Sequence, residues 1–206
     1  MNAMSTTPIE DLGPERQAAY LTVLASAFRP ILAEWESRAS LAAFDHAVGL
    51  LRTVPARNER QQAFDAAESA LMSAPDSLCD DSDVPAYYSM RCLGVACCAL
   101  SFARAATDEE RDPEVMTHRF QEAIGSVDDL ARDLFSETRD AAGVDVEMAL
   151  RAATDRAHNT ARDALSDDSS ASPGSGLLEP AASELGSAYA NVIPLIAKLR
   201  GWVLVQ

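Results

Sequence analysis

Lysine is almost missing from this 206-residue chain: Lys198 stands alone beside sixteen arginines among its 17 basic residues. That bias reads as a coding preference rather than as a site. Basic residues of either kind are scarce against 32 acids, and the formal charge is −15. Phosphate backbones repel such a surface, which argues against direct nucleic-acid binding. An anionic membrane surface is disfavoured for the same reason. A basic protein partner, by contrast, is attracted and steered by it. Aromatic residues are only 6% of the chain, so the core must close over aliphatic side chains and alanine. Alanine carries no side-chain entropy cost in a helix, and runs such as "LAAFDHA" favour closely packed helices. The start, "MNAMSTTPIEDLGPE", has neither a basic n-region nor an apolar h-region. Cytoplasmic residence is therefore expected, with the four cysteines reduced. Neither an internal repeat, a heptad run nor a Gly-rich phosphate loop is visible, and no Ser-His-Asp, Cys-His or G-x-S-x-G arrangement is identifiable.

What is present is helical periodicity. The first helix is expected from Pro14 to Ser37, with Tyr20, Leu21, Leu24, Phe28, Ile31, Leu32 and Trp35 on one face. Pro30 should kink it. Further helices are expected over Ser40 to Val54, Asn58 to Ser73, Val84 to Ala106, Pro113 to Ala142 and Val144 to Leu165. A last one begins near Glu179 and holds Pro194, a second kink. The closing "GWVLVQ" is apolar and could extend this helix, form a short strand or dock on a neighbour. Residues 166–176, "SDDSSASPGSG", form a flexible loop by composition, and residues 1–12 are expected to be disordered. The fold class is thus all-α: a single domain, 1–206, of about seven helices around a buried central helix, 84–106.

The stretch "YYSMRCLGVACCALSFA" (Tyr87 to Ala103) holds three cysteines and almost no charge. On a helix, Cys97 and Cys98 stand about 140° and about 240° around from Cys92. Such dispersed thiols cannot meet on one ion, so they are read as buried and inert. The stretch is long enough to cross a bilayer, but Arg91 interrupts it and its flanks are acidic. A helix apolar on nearly every side is the expected centre of a bundle. His46, His118 and His158 fall on three different helices, as in three-histidine bundle metalloproteins. Their directions disagree with such a site: His46 and His118 point ~170°, and His158 ~100°, from their helices' apolar faces. All three are read as exposed. Neither of the two Glu-x2-His motifs of a di-iron bundle is found. Neither a metal nor another cofactor is expected.

The acids cluster in loops. With helices alternating in direction, Glu10-Asp11, "DEERD" (Asp108 to Asp112) and Asp167-Asp168 should share one end of the bundle, and "DSLCDDSD" (Asp76 to Asp83) the other. Asp83 is also placed to favour the start of the helix that follows. The middle of the chain, Asp80 to Phe135, reads as an Ala-rich buried helix, a short acidic break and a long amphipathic helix. In this it resembles the helical, acidic immunity proteins of bacterial polymorphic-toxin systems and related uncharacterised bacterial helical families. The resemblance lies in texture rather than in a motif, so it assigns no residue. It implies a cognate toxin as partner, a basic domain being the natural complement, and no catalysis. The expected contact residues are Asp108, Glu109, Glu110 and Asp112, with Asp80, Asp81 and Asp83 as the second set. Two other readings stay open: a module that self-associates through its apolar C-terminus, Trp202 to Val205, and a helical-bundle metalloenzyme.

Overall fold

A computed structural model describes residues 8–35, 38–53, 55–108, 112–166 and 178–203. It is all-α, with no strand among the described residues. A 3-10 turn at Ile9–Asp11 precedes α1 (Pro14–Ala27), α2 (Arg29–Trp35), α3 (Arg38–Thr53), α4 (Arg57–Met72), α5 (Pro85–Ala106), α6 (Pro113–Ala142), α7 (Val144–Ser166) and α8 (Glu179–Arg200). Disorder was expected over residues 1–12. Residues 1–7 lie outside the described residues, but 8–12 are tied down. Gln17 Nε2 donates to the carbonyls of Ile9 and Glu10 at 3.3 and 3.1 Å, and Leu12 is buried.

α1 and α2 replace the single kinked helix that the apolar stripe predicts. Pro30 has no N–H to give, and its ring crowds the carbonyl four residues earlier. The chain responds before the proline: Phe28 N–H turns to Ala25 O, and Ile31 N–H to Phe28 O, in i→i−3 bonds of 3.1 and 3.0 Å. The apolar stripe survives the break, because Leu21, Leu24, Phe28, Ile31 and Leu32 are all fully buried.

α5 is the shared core element and packs on α1, α2, α3, α4 and α6. Pro85 supplies its first turn, where the missing N–H costs nothing. Ala96, Ala99 and Ala103 let neighbours approach closely, while Leu93, Leu100 and Phe102 fill the space between them. It is also the one helix among the described residues long and apolar enough to cross a membrane. α1 is nearly as central, touching α3, α5, α6, α7 and α8.

α6 starts on Asp112, whose carboxylate accepts Glu114 N–H at 2.8 Å, and ends at Gly143. Gly143 has φ +90°, a conformation that side chains rarely adopt, so the chain reverses straight into α7. The corner is clamped by Glu147, which accepts from Arg139 at 2.5 Å and Arg151 at 2.7 Å. Ala153, Ala157 and Ala161 lie on the buried face of α7, which packs on α8, where Leu185, Tyr189 and Ile193 are buried in turn. α8 runs through Pro194 to Arg200 as one helical segment, since the proline faces solvent and its lost bond lies on the wet side. Gly201 in the left-handed region then ends it.

Candidate functional site

The two predicted acidic sets lie at opposite ends of the 22-residue helix α5, about 33 Å apart at 1.5 Å per residue. No single contact surface spans both.

At the α5 N-terminus, Asp80 and Asp81 are exposed. Asp81 turns the chain by accepting Asp83 N–H on Oδ1 at 3.0 Å. Asp83 was expected to serve the start of α5. Instead Val84 is the cap residue, without a side-chain bond, and Asp83 faces Arg200, 3.5 Å away at the end of α8. Arg200 also grips Glu137 of α6. Trp202 completes the junction: its Nε1 donates to Asp83 O at 3.0 Å, and its ring meets Tyr88 edge-on at 6.0 Å. Arg91 reaches Asp133 of α6 at 3.8 Å. At this end Asp83 and Glu137 share Arg200 and Asp133 faces Arg91, while Asp80 and Asp81 stand exposed with no ion pair among the described residues.

At the other end, Asp112 is occupied by the cap of α6, and Glu109 and Glu110 lie outside the described residues, as does the second acidic pair, Asp167-Asp168. Asp108 and Asp112 do come together, on the rim of a cleft of about 660 Å³ between α4, α5 and α6. Its other polar walls are Gln61, Thr107 and four arginines: Arg57 and Arg60 from α4, Arg104 from α5 and Arg119 from α6. Sequence reasoning did not find this convergence. Arg57 and Arg60 are one helical turn apart, but nothing in the sequence sets Arg104 and Arg119 opposite them before the packing of three helices is known.

The cysteines separate as the helical angles required, but the expected burial holds for Cys92 alone, since Cys97 and Cys98 are only partly buried. Cys92 is fully buried with Sγ 4.0 Å from Phe28 O, whereas Cys98 faces Ser126 of α6 at 3.6 Å. Burial pushes the Cys92 thiol far up and Cys97 up to about 11, so neither carries thiolate at neutral pH. No group of three or more metal-ligating side chains occurs among the described residues. His46 and His118 are exposed. His158 is not, which corrects the expectation: its Nδ1 lies 2.7 Å from Tyr20 Oη, and burial lowers its pKa against the pull of Asp128 and Asp155. An angle of ~100° from the apolar face still reaches a flanking helix when neighbours pack on both sides. Beside it a groove of about 570 Å³ runs between α6 and α7.

No protein-family model, no curated protein and no solved structure matches the chain.

Proposed function

We propose that this protein is a non-enzymatic binding protein that engages a basic protein partner, in the manner of an immunity-type inhibitor that covers a toxin. The observation that carries the reading is the acidic end around Asp80, Asp81 and Asp83, where Asp80 and Asp81 stand exposed with no ion pair among the described residues. Of the two acidic sets, the one first expected, Asp108 with Asp112, is the weaker support, because four arginines line the same cleft. At least ten of the chain's arginines pair with its own acids, among them Arg29 with Asp45, Arg156 with Glu184 and Arg52 with Glu179. Such pairing positions side chains but leaves the net charge of −15 to act at a distance.

The test is co-purification with the products of adjacent genes, followed by charge reversal. Asp80→Lys with Asp81→Lys is expected to slow association at least about tenfold at low salt and to flatten its salt dependence. Asp108→Asn, at the far end, is expected to leave the rate unchanged. A partner bound equally fast by the reversed variant ends the acidic-surface reading.

A further inference from the structure

The cleft between α4, α5 and α6 is unusual in a chain of this charge. Among the described residues that line it are four arginines and two aspartates, in a molecule of −15. Two of those arginines are held by neutral acceptors. Arg60 Nε donates to Pro55 O at 3.2 Å. Arg119 Nη1 donates to Ser101 O at 3.0 Å and to Ser101 Oγ at 2.7 Å. Neither has a carboxylate within ion-pair distance among the described residues, in contrast to Arg104, which Asp65 holds at 2.8 Å. Carbonyl and hydroxyl acceptors fix a guanidinium in place without cancelling its charge. Each fork keeps further N–H donors for a second partner.

The floor of the cleft is apolar. Phe64 and Met116 are buried beneath it, and Val115 stands half-exposed at its edge. Its volume lies within the range of small-molecule sites, which combine an apolar lining with a few fixed polar groups. The arginines are set on three long helices rather than on a mobile loop, so little ordering is needed to use them.

We propose that this cleft binds a small anionic ligand with an apolar body and a phosphate or carboxylate head. The body lies over Phe64 and Met116, and the head lies between Arg60 and Arg119. The site is independent of the acidic-surface reading, and either stands if the other fails.

Phenyl phosphate, benzoate, inorganic phosphate and neutral benzyl alcohol serve as probes, followed by the Met116 methyl resonance and by calorimetry on the full chain. Either phenyl phosphate or benzoate, whichever head fits, is expected to shift that methyl saturably. It should bind at least about tenfold more tightly than inorganic phosphate or benzyl alcohol, because each of those offers half of the recognition. Arg119→Gln and Arg60→Gln are each expected to weaken binding about tenfold, the order of a lost charge-assisted hydrogen bond. Arg38→Gln, an exposed arginine on α3, leaves it unchanged. Two outcomes overturn the proposal. One is no saturable shift with either probe beyond that of sodium chloride at matched ionic strength, a result that needs no variant. The other is equal weakening in Arg38→Gln, which reduces the effect to net charge. Far-ultraviolet circular dichroism confirms that each variant keeps its helix content, and Arg60→Gln carries the test if Arg119→Gln does not fold.

Discussion

Tyr20 and His158 form the one long-range side-chain pair that joins α1 to α7 through a neutral hydrogen bond among those described, at 2.7 Å with the rings edge-on. Burial holds the Tyr20 phenol far above its ordinary pKa, so it stays protonated. With the imidazole neutral, the tautomer sets which of the two groups donates and which accepts. Tyr20→Phe strands Nδ1 without its partner and is expected to cost about 1–2 kcal/mol in chemical denaturation. The pH dependence has a definite sign. The folded-state pKa of His158 lies below the unfolded value of about 6.5, so the unfolded chain takes up a proton first as the solution is acidified. The stability tied to neutral His158 is complete above about pH 6.5 and is lost as pH falls towards the folded pKa. His158→Gln keeps an acceptor for Tyr20 but cannot titrate. The difference in unfolding free energy between wild type and His158→Gln should therefore shift against the wild type between pH 7.5 and 5.5. Parallel profiles would remove His158 from the pH response.

Among the elements, α5 bears the greatest demand, since it touches five helices, and it still carries a glycine. A β-carbon at Gly94 meets nothing within 4 Å, and the residue is exposed. Gly94→Ala is expected to stabilise the protein by about 0.5–1 kcal/mol, read as a higher midpoint in thermal melting, because the helix then loses less backbone entropy on folding. Gly186 on α8 differs: its added carbon would sit 3.5 Å from Ala27 O, against the end of α1, so that position is a packing contact as well as a propensity. The contrast shows what periodicity reveals. Helix ends at Pro14, Pro85, Pro113 and Gly143 follow from residues that act within one turn, and α6 ran as expected from Pro113 to Ala142. The break at Phe28 did not follow, because whether a proline bends a helix or interrupts it depends on what packs around it. The arginine cleft was illegible for a stronger reason: Arg60, Arg104 and Arg119 are brought together by three helices whose rotations the sequence does not state. Burial of His158 escaped in the same way, since a flank becomes interior only when a second neighbour arrives.

At the scale of the molecule, the ends of the chain close the bundle. α8 returns to the start of α5, and Gly201, at φ +69°, turns Trp202 back so that its N–H reaches Ala197 O at 2.8 Å. The indole then spans to Asp83 and Tyr88, and Arg200 ties the same corner to Glu137 and Asp83. This bears on self-association through Trp202 to Val205. The largest apolar group of that segment is already engaged within its own chain, while Val203 is 89% exposed and Leu199 is 50% exposed; Leu204 and Val205 lie outside the described residues. Two roles for Trp202 therefore give different measurements. As a clasp, Trp202→Ala loses stability at every protein concentration, by about 1–2 kcal/mol for a half-buried indole and one hydrogen bond, and the sedimentation behaviour does not change. As an interface residue, it would dissociate a wild-type oligomer, and its melting temperature would differ from wild type more at high concentration than at low. The expected result is the first: a lower melting temperature, the same shift across a hundredfold range of concentration, and one sedimenting species in both proteins. Leu199→Glu should then leave both quantities near wild type, because an exposed leucine that meets no partner has little to lose.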